Sequence, residues 1–138
     1  MAIQQIKSNI PTGAVNLNSV LINKSVFSKG EVVQTGNLQM EFSISSKEVE
    51  QKLFVIEKIR LLSDVSPSFE IEVEMVAEFE KGEGFAGSVE DFSNINGAAI
   101  IYAYARQHIS NLSLQAGMNP IILPIVNFFE HYQKNKKR

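Results

Sequence analysis

The chain has 138 residues, 13 lysines and arginines against 15 aspartates and glutamates for a formal net charge of −2, and no cysteine. That length gives one domain able to bury roughly 70% of its unfolded surface without staples, and the charge balance argues against a general nucleic-acid binder, whose affinity rests on a basic surface. Disulfides and thiolate metal sites are excluded, no apolar run reaches membrane-spanning length, and the stretch MAIQQIKSNIPTG lacks the apolar core of a signal peptide, so a soluble cytoplasmic protein without membrane insertion is expected.

In chain order, residues Ile3 to Val15 suit a first strand that Pro11 and Gly13 limit or confine to an edge. From Asn16 to Gly36, polar residues mix with Leu17, Val20, Leu21, Ile22, Val26, Phe27, Val32 and Val33 without a clear period, and such a segment packs either on its own sheet or on a partner. Leu38, Met40, Phe42 and Ile44 then alternate with polar residues, which marks a strand with one apolar face. Lys47 to Lys52 reads as a polar connection. Leu53 to Leu62 carries Phe54, Ile56, Lys58 and Arg60 on one side and Val55, Glu57, Ile59 and Leu61 on the other, so a central strand or a bulge is expected. Turn chemistry follows at Ser63–Ser68. From Phe69 to Glu80, Phe69, Ile71, Val73, Met75 and Phe79 alternate with Glu70, Glu72, Glu74 and Glu78; a slip of one residue would bury the glutamates, which fixes the register.

Asn96 to Ala116 has helical spacing, with Ile101, Ala105, Ile109, Leu112 and Ala116 on one face and Arg106, Gln107, Ser110 and Ser113 opposite. Asn96 is the expected cap, Gly117 the left-handed stop, and Pro120 prevents resumption. The apolar run Ile121–Val126 is broken by Pro124 and must be covered by protein, and Phe128 to Lys134 makes a short amphipathic helix. The fold class is therefore α+β: an antiparallel sheet covered by a long helix in the C-terminal half, with a short terminal helix.

No set of residues suits catalysis. Gly82-Glu83-Gly84-Phe85-Ala86-Gly87 matches G-x-G-x-x-G, yet it follows an antiparallel strand, puts a glutamate where a pyrophosphate would approach, and is expected to open no helix at its third glycine. His108 and His131 lack partners at ligand spacing, and the exposed glutamate row has nothing to raise one pKa selectively, so neither an enzyme nor a cofactor is expected. That row suits either a solvated face partly neutralised by Lys58 and Arg60 or a surface for a basic partner.

Tyr104-Ala105-Arg106 in a helix, then Gly117, Pro120, Leu123-Pro124 and Val126-Asn127-Phe128 in that order, resembles the C-terminal signature of the SecB preprotein-export chaperones. The signature covers about the last third of the chain, and the upstream strand pattern is compatible with the family. Tyr102-Ala103 stands where the family usually has Phe-Pro, and the charged run Glu80–Gly84 replaces its glycine-rich segment. The resemblance implies a four-stranded sheet, with residues 16–36 as the long crossover between the first two strands. It also implies a homotetramer built as a dimer of dimers around the long helix, whose Ser- and Gln-rich face suits a wet contact. The implied function is an ATP-independent holdase for unfolded polypeptides or preproteins, with Glu70, Glu72 and Glu74 facing the motor SecA. Candidate client contacts are Leu21, Val26, Phe27, Met40, Phe42, Phe129 and Tyr132, with Phe54 a further one, because adaptable apolar surface suits unfolded chains. The two departures leave room for a dedicated chaperone of one partner, such as an antitoxin, or for an interaction protein of the same fold that uses the basic cluster Lys134–Arg138.

Overall fold

The computed structural model describes residues 14–31, 36–66 and 68–136. Four antiparallel strands, β1 (Val15–Ser28), β2 (Leu38–Val49), β3 (Lys52–Ser63) and β4 (Glu70–Lys81), lie in the order β1-β4-β3-β2. The alternation of β4 sets the sheet: Ile71, Val73, Met75, Ala77 and Phe79 are all buried on one face, while the glutamates between them reach the other. β3 is central and pairs in unbroken register with both neighbours, so the strand alternative holds and the bulge does not. Its inner positions Leu53, Val55, Ile59 and Leu61 complete the core, and Glu57 sits among them.

The sheet departs from expectation at its first strand. Residues 16–28 are a strand paired with β4, at the edge of the sheet among the described residues, and not a crossover; the connection to β2 lies between Ser28 and Leu38. Two register shifts, at Asn18 and Asn23, explain the missing period: the inward positions are Val15 and Leu17, then Val20 and Ile22, then Ser25 and Phe27, and each bulge resets the phase. The expected strand from Ile3 lies outside the described residues as far as residue 13. Lys47–Lys52 is likewise not a loop. β2 runs on to Val49, and Glu50-Gln51 alone turn the chain into β3, with Glu50 at φ 56°.

The helix layer begins earlier than Asn96. Ser88 caps a short helix α1 (Val89–Phe92) by accepting from the Asp91 amide at 3.2 Å, and Glu90 and Asp91 complement the positive end of the dipole. A π-helical stretch, Ser93–Gly97, then leads without a break into α2 (Ala98–Gln115). The Ser93 hydroxyl and the Asn94 amide donate to the Val89 and Glu90 carbonyls, which keeps these groups bonded as the helix widens. Asn96 is therefore interior, and its neighbour Gly97 is buried against β3 and β4: a Cβ there would stand at ordinary contact distance, 3.4 Å from a Val55 methyl and 3.6 Å from the Phe79 ring. Ile101, Ala105 and Ile109 are buried as their spacing predicts, with Leu112 and Ala116 half-buried.

Gly117, at φ 80°, ends the helix in a Schellman arrangement, its amide bonded to the Leu114 carbonyl and that of Met118 to the Ser113 carbonyl. The Ser113 hydroxyl also accepts from the Ile121 amide and so ties the apolar segment to the helix end. Asn127 then caps α3 (Phe128–Lys136), which buries Phe128 and Tyr132.

Glu50 holds a left-handed conformation that glycine adopts without penalty and most L residues take at about 1 kcal/mol or more. Glu50→Gly should therefore raise the denaturation midpoint by an amount worth about 0.5–1 kcal/mol, measured by urea unfolding.

Candidate functional site

The inner face of the sheet is wider than the helix that covers it. α2 lies over β3 and β4 and reaches β1 where His108 and Ser25 share a hydrogen bond, so Met40, Phe42 and Ile44 of β2 are left half-buried. α3 returns along this strip. Phe42 meets the Phe128 ring edge-on at 5.6 Å and the His131 ring at 4.6 Å, and Phe128 meets Tyr102 of α2 at 5.3 Å. Tyr102 donates its hydroxyl hydrogen to the Pro124 carbonyl at 2.5 Å and stands 3.8 Å from the Met40 sulfur, which pins the apolar segment over β2.

Between β2, α1 and α3 remains an open cavity of about 370 Å³. Phe42, Ile44 and Tyr132 supply its apolar wall, while Glu90, Asn94 and Asn135 supply polar groups. Tyr132 is held in place by donating to Asp91 at 3.0 Å. Burial, that bond and the charges of Glu90 and Asp91 push its phenol up to about 12. Lys136 pairs with the same Asp91 at 3.8 Å and lies over the Tyr132 ring. Among the described residues no strand pairs with the outer edge of β2, which runs beside the cavity. An extended chain can add there as a strand and place alternate side chains in the cavity.

Of the residues expected to touch clients, Phe42 and Tyr132 come together at this groove; Met40, on the same face of β2, packs at Tyr102 instead, and Phe129 is exposed on α3 outside the cavity lining. Tyr132 is buried, so it shapes the wall more than it offers surface. Leu21, Val26 and Phe27 lie on β1, at the opposite edge of the sheet. Leu21 and Val26 point to the outer face opposite Val76 and Glu72, and Phe27 packs inward against Phe69. Phe54 also stands on the outer face. The wall residues Ile44, Glu90, Asn94, His131 and Asn135 were not singled out as contacts from sequence. Ile44 was already in the β2 alternation, whereas the others join the site only because α1 and α3 converge on β2.

The outer glutamate row is not bare. Glu72 receives Lys24 from β1 at 2.8 Å and Lys58 from β3 at 3.9 Å, and Glu70 pairs with Arg60 at 2.9 Å. Asn23 donates to Glu74, Asn18 donates to Glu78, and Lys52 stands 3.8 Å from Glu78. The hydrogen bond from Lys24, with the charges of Lys24, Lys58 and Arg60, holds the Glu72 carboxyl below the usual range and raises the Lys24 ammonium in return. Glu72 is thus bridged from both sides, Glu70 from β3 by Arg60 and Glu74 from β1 by Asn23, which makes the row a partnered ladder. The glycine-rich loop is equally occupied, since the Gly82 amide donates to the Ala14 carbonyl at 2.7 Å.

The sequence matches the family described as "SecB: Preprotein translocase subunit SecB" over residues 20–138. The chain belongs to the SecB family. The fold agrees: the chain is similar to the Mycobacterium tuberculosis Rv1957 SecB-like chaperone, solved in complex with a ChAD peptide from the Rv1956 HigA1 antitoxin. The TM-score is 0.69 and the identity 12%, over 82% of this chain and 88% of that one. A protein of unknown function from Streptococcus agalactiae aligns with a TM-score of 0.49 and 9% identity, over 80% of this chain and 97% of that one. No curated protein sequence matches. Membership of the SecB family gives a chaperone-type function, and no described helix is long and apolar enough to cross a membrane.

The ladder gives a direct test. In Lys24→Met the Glu72 carboxyl loses its first cause of depression, so its titration, followed by carboxyl-carbon NMR, should move to higher pH. Any stability the Glu72 pairing supplies is present above the ordinary glutamate range and is lost as pH falls through the depressed value; the variant should show less of that loss.

Proposed function

We propose that this SecB-family protein holds unfolded polypeptide chains without nucleotide, seating an extended segment along the open edge of β2 with its side chains in the adjoining groove. The observation that carries the reading is a β2 edge that no described strand pairs, beside a cavity of about 370 Å³ whose wall mixes Phe42, Ile44 and Tyr132 with polar groups. Backbone pairing is indifferent to sequence and the cavity takes side chains of varied shape, which is what an unfolded client requires. The antitoxin peptide bound by the M. tuberculosis neighbour is consistent with a polypeptide ligand.

Two roles suit such a holdase, delivery of preproteins to SecA or service to one dedicated partner such as an antitoxin. The partnered carboxylate ladder favours the dedicated role, because a basic docking domain there would first displace Lys24 and Lys58 from Glu72 and Arg60 from Glu70. Assembly as a cytoplasmic homotetramer is part of the proposal. It is supported by exposed Tyr104 and Leu114 on α2, and by Ile122 and Ile125 beyond it, the last 89% accessible. Light scattering should give four chain masses, and a strict monomer at micromolar concentration contradicts the assembly.

The functional test is suppression of aggregation of a reductively unfolded model substrate at stoichiometric protein and without nucleotide. The protein should suppress it. Phe42→Ser, which strips the groove wall, should weaken client affinity by about tenfold, whereas Val26→Ser on the outer face should leave it unchanged. Equal weakening by both variants, or no suppression by folded protein, overturns the reading.

A further inference from the structure

Glu57 occupies the middle of β3 on the inner face, 1% exposed, with Ile44 of β2 and Met75 of β4 opposite it. Neither of its carboxyl oxygens has a hydrogen-bond partner. The inner positions around it on β2 and β4, Phe42, Ile44, Val73, Met75 and Ala77, carry no titratable group. On the helix above stand Tyr102, whose phenol is pushed up by burial, and Arg106, whose Nε is itself buried without a partner. His131 on α3 lies against Phe42. No cation is bonded to the carboxyl, so an ionised Glu57 would be an uncompensated charge in a packed core, which costs several kcal/mol.

We infer that separation of α2 from the sheet is coupled to release of one proton from Glu57, so that the helix layer opens more readily as pH rises through neutrality. In the closed form the carboxyl is neutral because burial pushes it up to about 8. Once α2 lifts and water enters, the group returns to the ordinary range near 4.3 and ionises. A folded value above the open-state value means that the closed form holds its full advantage at acid pH and loses it progressively until pH passes about 8. The opening constant therefore grows about tenfold per pH unit between those limits and then levels off.

The inference stands on the fold alone, and the holdase reading gives it a use. Tyr102 holds Phe128, and Phe128 holds Phe42, so a lifted α2 takes the support from the groove wall and exposes the inner sheet face.

Hydrogen exchange of the α2 amides, corrected for intrinsic rates, tests this on the intact protein without any client. Protection over residues 98–115 should fall by about tenfold per pH unit between pH 6 and 7.5 in the wild type. It should be nearly independent of pH in Glu57→Gln and in Glu57→Leu, which keep the bulk and lose the proton. A slope that survives both substitutions, or none in the wild type, overturns the inference. So does failure of both variants to fold, since the carboxyl would then have a bonded role in the packing.

Discussion

The structure depends on the strict alternation of β4. Five inward side chains and the carboxylates between them leave one register in which the apolar set is buried, and β4 lies between β1 and β3, so both inherit that choice. On the inner face it creates the surface that α2 must cover. On the outer face it puts a row of like charges side by side, a repulsive arrangement unless cations arrive from the neighbours. Lys24 on one flank and Lys52, Lys58 and Arg60 on the other supply them.

The second constraint is the height and width of the helix layer. Gly97 sits against Val55 and Phe79, and Glu90 of α1 and Asn94 of the π-helical stretch line the cavity together with β2. One helix cannot cover four strands. The uncovered strip of β2 is partly roofed by α3 and by the segment that Tyr102 pins through Pro124, and what remains is the groove. The proposed binding site is thus the remainder of an incomplete core, next to a strand edge that nothing among the described residues pairs.

Much of this was legible in the sequence because it rests on local periodicity. Leu38–Ile44, Leu53–Leu62 and Phe69–Glu80 alternate as strands do, and Ile101, Ala105 and Ile109 recur as a helix requires. β1 escaped for a local reason of a different kind: bulges at Asn18 and Asn23 shift the phase twice in fourteen residues, so no single period survives. The helix start escaped because Asn96 and Gly97, ordinary boundary residues, lie within a π-helical stretch while Ser88 does the capping. The groove was half visible. Phe42 and Tyr132 could be named as apolar residues on amphipathic elements, but the partnership of Phe42 with His131 needs the return of α3, which no spacing encodes. Glu57 stood out as one charge among Val55, Ile59 and Leu61, and its lack of any partner is a fact of packing.

The central claim is that unfolded chain binds where the helix layer stops short of β2. Methyl NMR of the protein titrated with a reductively unfolded model polypeptide tests it most directly. Shifts are expected at Ile44, which lines the groove, with Leu21, Ile56 and Val76 on the outer face unchanged. Shifts confined to Leu21, Ile56 and Val76, with Ile44 silent, would contradict it.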